Sequence, residues 1–306
     1  SNNTIDLSRV QKTYKELVAN YDGKLDTQKL IYGANRGLVE AAGDPHTAYM
    51  DPDETKEFDK SLSGQIGGGI GAEIGLRNNK PTIIKPLENS PAQKAGIKAG
   101  EVIVKVNDES SSDWSVDKVV SKIRGEIGTS VKLPLLSEGR TREVSVVRQN
   151  IVSPAVESEI DGEIGMLKVN RFGDDTVSLS RKYASEFVEK GVKKVILDLR
   201  NNPGGTVGAA QGLLGIWLDN QIAMTERRGS EIVKTLRTTG TPILGNMKTV
   251  VLINGNSASA SEITAGALRE YGKATLVGQK SYGKGSVQIV LGLPGGSQMK
   301  VTEARW

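Results

Sequence analysis

Three short segments of the 306-residue chain carry side chains that packing alone does not require. The first is Asn254-Gly255-Asn256-Ser257-Ala258-Ser259-Ala260-Ser261-Glu262, where hydroxyls alternate with small residues and little covers the serine oxygens. One serine could cap a following helix, with Glu262 closing a capping box. A cap uses one of the three and leaves two to explain. The second is Ser281-Tyr282-Gly283-Lys284-Gly285-Ser286-Val287-Gln288, a lysine between glycines on a turn into an apolar strand. Most such lysines are solvated. The third is Arg200-Asn201-Asn202-Pro203-Gly204-Gly205, which follows the apolar run 195–199 and precedes a helix. Its glycines let backbone N–H groups approach a ligand, and the helix N-terminus adds positive potential. A plain strand-to-helix turn would use the same residues.

The chemistry these segments could support is acyl transfer. A serine is a weak nucleophile without a base. His46 is the only histidine, and it falls in a turn of a helical N-terminal region, as a bystander. A lysine serves if its amine titrates near ~7–8 instead of ~10.4, a change that costs roughly 4 kcal/mol. Desolvation supplies that cost when the lysine is buried on a rigid turn. Gly283 and Gly285 beside a Val-rich strand suit Lys284 to the task, and Gln288 could hold its amine. An oxyanion hole needs two N–H donors. Ala260 can give one, and the Gly204-Gly205 turn the other. Gly278 with Gly283-Lys284 mimics a phosphate-binding loop, but Gly285 stands where Ser or Thr must hold magnesium, and a strand follows. Which of Ser257, Ser259 and Ser261 attacks stays open on residue physics alone.

The elements around these segments follow from periodicity. Residues 4–42 read as two helices, one carrying Leu7, Val10, Tyr14, Leu17 and Val18, the other Leu30, Ile31, Ala34, Leu38 and Val39. Gly23 separates them, and Gly43-Asp44-Pro45 ends the second. Residues 64–148 read as a small β module. It has strands at 72–76, 102–106, 131–136 and 142–147, a short helix after Ser90-Pro91 and another capped by Ser115. From 150 onward strands at 164–169, 194–199, 249–253, 274–277 and 287–291 alternate with helices at 176–190, 207–218 and 258–271. That alternation predicts an α/β layer with a partly parallel sheet.

Composition narrows the classes. Hydrophobic residues at 37% and charged residues at 25% are ordinary for a globular chain. The formal net charge is +4, spread along the chain without basic runs interleaved with aromatics, so nucleic acid is not implied. Cysteine is absent, which removes disulfides, thiolate nucleophiles and cysteine metal sites. With one histidine, a catalytic zinc is not expected. No 18-residue apolar stretch spans a membrane. Ser1-Asn2 reads as a tag remnant, with any natural leader or anchor expected upstream.

Taken together, the three segments resemble those of the C-terminal processing peptidases, or tail-specific proteases. That family carries Ser-Ala-Ser-Ala-Ser-Glu and, later, Tyr/Phe-Gly-Lys-Gly-Ser-Val-Gln, which stand here at 257–262 and 282–288. Asp-Leu-Arg-Asn-Asn-Pro-Gly-Gly at 198–205 and Asp44-Pro45-His46-Thr47-Ala48-Tyr49-Met50 match further family segments. The resemblance implies an α/β multidomain fold: a helical N-terminal region (1–63), a PDZ domain (64–148) and an α/β protease core of the ClpP/crotonase-like type (149–306). It implies Ser259 as nucleophile, Lys284 as base, Gln288 as its support, and the amides of Gly205 and Ala260 as oxyanion hole. It implies no metal and no cofactor. The PDZ domain would take a protein or peptide C-terminal tail by strand addition. Gly67, Gly68, Gly69, Ile70 and Gly71 would hold the carboxylate, and Val119, Val120 and Ile123 would wall the groove. A second copy or an adaptor is a further candidate partner. The expected location is extracytoplasmic, in the periplasm or on the outer membrane face. The family usually continues well past Trp306. Two rivals share these features: a catalytically silent or gated PDZ scaffold, and an acyl-CoA enzyme of the crotonase fold, against which the PDZ module and the Ser-Lys pair argue.

Overall fold

The computed structural model describes residues 6–306. The expected helix start at residue 4, like Ser1-Asn2, lies outside the described residues. The chain divides into two compact units, Ser1–Lys56 with Val287–Ala304, and Glu57–Ser286 with Arg305–Trp306.

In the first unit, two amphipathic helices, Ser8–Asn20 and Thr27–Glu40, precede the short strand Ala48–Met50. Asp26 caps the second helix by accepting from the amides of Gln28 and Lys29. The strand pairs antiparallel with the strand Gln298–Arg305, placing Tyr49 opposite Met299. Tyr49 is buried, and its hydroxyl meets Ser297 Oγ at 2.7 Å.

The second unit holds the β module and the α/β core. The module's five strands, Ala72–Arg77, Lys80–Pro86, Val102–Ile103, Ser130–Ser137 and Arg140–Val147, lie side by side in chain order and pair antiparallel. Ile83, Ile103, Val119, Val131, Leu133 and Leu135 fill its core. The helices Pro91–Lys94 and Val116–Ile123 start where Ser90 and Ser115 accept from Gln93 N and Lys118 N. The glycine run differs from the expected loop. Gly67, Gly68 and Gly69 lie in the strand Gln65–Gly69, which pairs antiparallel with Gln149–Val152 on the way out of the module.

The core sheet runs Val156–Asp161, Ile164–Val169, Lys194–Asp198, Lys248–Ile253, Ala274–Gly278, again in chain order. The first pair is antiparallel and the other three pairings are parallel. Parallel neighbours need crossovers, and the helices Thr176–Glu189, Val207–Leu214 and Ala260–Glu270 lie within them. Leu167, Leu197 and Val251 are fully buried on the strands, as are Phe187, Leu213 and Leu268 on the helices. The loops after Asp198 and Ile253 both leave the carboxyl ends of adjacent parallel strands, where open α/β sheets build their sites. The antiparallel hairpin of Ile222–Arg228 and Glu231–Arg237 was not visible in the sequence pattern.

Candidate active site

Strand Lys194–Asp198 ends in a buried carboxylate. Arg200 donates to it from its amide at 3.0 Å, its Nε at 2.9 Å and its Nη2 at 2.7 Å. Burial pushes the Asp198 carboxyl up, but the bonds from Arg200 outweigh it and hold the group below its ordinary value. The chain then turns through Asn202, which is fully buried. Its Nδ2 donates to Val169 O at 2.7 Å, and its Oδ1 accepts from Gly204 N at 2.9 Å. One side chain thus fixes the glycine turn against the sheet.

This turn consumes two of the three serines. Ser257 Oγ donates to Leu199 O at 2.7 Å, and Ser261 Oγ donates to Asn202 O at 2.9 Å. Both residues are fully buried. Ser259 lies between them, half-buried, with φ 54° and ψ −116° at the mouth of the helix Ala260–Glu270. That backbone is strained for a residue with a Cβ, and such strain clusters at functional sites. The amides of Glu262 and Ile263 both reach the Ser259 carbonyl, at 2.8 and 3.0 Å.

Two amides face no protein acceptor among the described residues: Ala260 N, at the helix start, and Gly205 N. Gly204 has φ +103°, and a Cβ there would lie 2.8 Å from both Ser259 Cβ and Ala258 O. Only glycine fits a turn held this close to the serine. Gly205 is bracketed by Phe172, whose amide donates to Gly204 O at 2.9 Å and whose carbonyl accepts from Thr206 N at 2.8 Å.

Glu262 joins the serine segment to the lysine loop. Its Oε2 accepts from Ser259 N at 2.9 Å and from Lys284 N at 3.0 Å. Its Oε1 accepts from Ser281 Oγ at 2.7 Å and Gly283 N at 2.5 Å. Tyr282 N donates to Ser257 O at 3.0 Å. The backbones of Ser259 and Lys284 therefore share one carboxylate oxygen. Lys284 is half-buried, less enclosed than the sequence requirement of a buried lysine. The sequence suggested only a capping role for Glu262, because its partners lie 19 to 22 positions later.

Gln288 belongs to the first unit. Its Nε2 donates to Thr302 Oγ1 at 3.0 Å, and Thr302 Oγ1 donates to Asp44 Oδ2 at 2.5 Å. Asp44 also accepts from Thr47 Oγ1 and His46 N. The Thr302, Thr47 and His46 bonds hold its carboxyl down at about 2. The one histidine therefore serves here through its amide.

In the β module, Ile70, Gly71, Val120 and Ile123 line a cavity of about 70 Å³ with Ile74 and Ile151. Val119, expected on its wall, is fully buried in the module core, since neighbouring helical residues face directions about 100° apart.

Comparison with known proteins agrees with this architecture. Residues 163–306 match peptidase family S41, residues 82–135 match the PDZ domain, and residues 1–55 match the N-terminal domain of the activating protease CtpB. A probable CtpA-like serine protease of Staphylococcus aureus strain COL is 34% identical over 303 residues, 98% of this chain and 61% of the relative. Its counterpart in Staphylococcus epidermidis is 33% identical over 98% of this chain and 62% of its own length. The chain thus spans about three fifths of these relatives. Among solved structures, a photosystem II D1 C-terminal processing protease matches with TM-score 0.56 and 26% identity over 98% of this chain and 82% of its own. A putative S41 protease from Bacteroides fragilis shares the fold with TM-score 0.62 and 18% identity, over 93% of this chain and 80% of its own. Fold and matches define a serine-type peptidase architecture carrying a PDZ domain. Within that class, the chain belongs to the C-terminal processing peptidases of peptidase family S41.

Proposed function

We propose that this chain is a serine endopeptidase that cleaves proteins near their C-terminal tails with a Ser259–Lys284 pair. Neutral Lys284 Nζ takes the Ser259 Oγ proton as Oγ attacks the scissile carbonyl. The amides of Gly205 and Ala260 donate to the developing oxyanion. The Lys284 ammonium then protonates the leaving amine. Water hydrolyses the acyl-enzyme with Lys284 again as base, which regenerates Ser259. Gln288 supports the lysine, as the resemblance implies, and Thr302 and Asp44 fix its amide group. No step calls for a metal or cofactor. The supporting observation is elimination: Ser257 and Ser261 are buried and spend their hydroxyls on the backbone, while Ser259 sits strained beside two unspent amides.

The PDZ module selects the substrate. A tail adds as a strand along the edge strand Ala72–Arg77, with its carboxylate at the turn through Ile70 and Gly71 and its last side chain in the apolar cavity. A cavity this small suits a short apolar residue. The work is extracytoplasmic, as the resemblance implies. The test is digestion of an unstructured protein with a free apolar tail by the wild type, Ser259→Ala and Lys284→Ala. Cleavage by the wild type alone is expected. Equal cleavage by all three would refute the mechanism, and tail binding without cleavage by the wild type would favour the scaffold reading.

A further inference from the structure

Arg171 performs no step of the proposed chemistry, yet it sits at a junction. Its side chain is only 12% exposed. Nε donates to Leu62 O at 3.2 Å and Nη2 to Ser63 O at 3.2 Å, at the end of the helix Pro52–Ser63 that leads into the PDZ module. Nη1 donates to Ser153 O at 2.5 Å, just beyond the strand Gln149–Val152 that leads out of it. Nη2 also meets Asp175 Oδ1 at 2.7 Å, and the other oxygen of Asp175 accepts from Ala155 N at 3.0 Å. Ser153 N closes the junction onto Gly64 O at 2.9 Å. One guanidinium therefore gathers both stems of the inserted module.

The next residue holds the oxyanion turn. Phe172 is 1% exposed, donates to Gly204 O and accepts from Thr206 N, so Gly205 is strapped between its own bonds. Arg171 O is itself fixed, accepting from Thr176 Oγ1 at 3.0 Å while Thr176 Oγ1 accepts from Gly173 N at 2.9 Å. A peptide plane is rigid. A displacement of the stems that drags the Arg171 side chain is passed to Phe172, and from there to the amide of Gly205. A planar fork with several fixed donors transmits such a displacement better than a single ammonium would.

We propose that Arg171 is a positioning residue, through which the two stems of the PDZ module set the Gly205 amide for the oxyanion. The inference rests on the Ser259–Gly205 reading above. It gives the module a mechanical hold on the reaction in addition to any hold on the tail.

The experiment measures two quantities on the full chain. The first is the rate at which a small fluorophosphonate phosphonylates Ser259, a reaction that uses the oxyanion hole and needs no tail. The second is the Kd of a fluorescent apolar-tailed peptide for the PDZ module. For Arg171→Gln we expect phosphonylation slowed by about 10-fold or more, with the peptide Kd within about 2-fold of wild type. Arg171→Lys, which keeps the charge and loses the fork, should fall between. If Arg171→Gln does not fold, as judged by circular dichroism, Arg171→Lys decides with the same pair of readouts. Unchanged phosphonylation in a folded variant overturns the proposal, and so does a parallel loss of both quantities. A wild type that is not phosphonylated, or is phosphonylated equally as Ser259→Ala, would instead overturn the Ser259 reading on which the proposal stands.

Discussion

At the scale of single residues, the proposed site depends on groups to which the mechanism gives no contact with substrate. Glu262 spends both carboxylate oxygens on four donors, two of them the amides of Ser259 and Lys284. Replacing it with glutamine puts an NH2 against N–H groups that need an acceptor, two of them the partly buried amides of Ser259 and Lys284. Glu262→Gln should therefore lower kcat by about 100-fold, since misplacing the reacting groups by even a fraction of an ångström is costly. Its KM should change little, and steady-state kinetics separate the two effects. Gly204→Ala should be comparably damaging, because the new methyl falls 2.8 Å from Ser259 Cβ on a backbone with φ +103°. The three motifs were legible because strand, glycine turn and helix start are local patterns. The Glu262 bridge was not, because a capping glutamate and a cross-loop brace look identical until the lysine loop is folded onto the helix. The choice of Ser259 came from resemblance. The geometry adds a physical reason, since Leu199 O and Asn202 O claim the hydroxyls on either side.

At the scale of elements, the sheet explains why distant motifs meet. Lys194–Asp198 and Lys248–Ile253 are parallel neighbours, so the turns that follow them emerge side by side. This was readable from βα alternation. The strand expected over 102–106 splits instead into Val102–Ile103 and Lys105–Val106, because Pro134 opposite Val104 has no N–H to return: Val104 N still donates to Pro134 O, but Val104 O accepts from Ser111 N. The pairing of Gln65–Gly69 with Gln149–Val152 was hidden, since a glycine run has no side-chain alternation to reveal a strand. Sequence distance likewise hid the bond from Thr302 to Asp44, 258 positions apart. That bond has a pH consequence. The Asp44 carboxyl is held at about 2 in the fold, below its ordinary 3.8. A depressed carboxyl stabilises the fold above its unfolded value and loses that contribution as pH falls through the folded one. Melting temperatures measured from pH 4.5 down to pH 2 should therefore drop less steeply for Asp44→Asn than for the wild type.

At the scale of the whole molecule, the PDZ module's apolar cavity and the reaction site are proposed to perform separable tasks: the cavity selects the tail, and the α/β core, its oxyanion turn set through the module's stems, cleaves. A polar substitution in the module's apolar cavity should expose that division. Val120→Asp places an acid where the last side chain and carboxylate of a tail would settle. KM for a tailed protein substrate should rise about 10-fold or more, the cost of setting one charge against another where water is excluded. Fluorophosphonate labelling of Ser259 by the same variant should keep its wild-type rate. An equal loss of both would place the cavity, and not the stems alone, inside the catalytic machinery rather than ahead of it.

The central claim is that Ser259 is the nucleophile and Lys284 its base. Mass mapping after fluorophosphonate treatment of the wild type, Ser259→Ala and Lys284→Met tests it most directly. A single adduct on Ser259 is predicted, absent in Ser259→Ala and formed much more slowly in Lys284→Met. An adduct on Ser257 or Ser261, or labelling at an unchanged rate without Lys284, would contradict it.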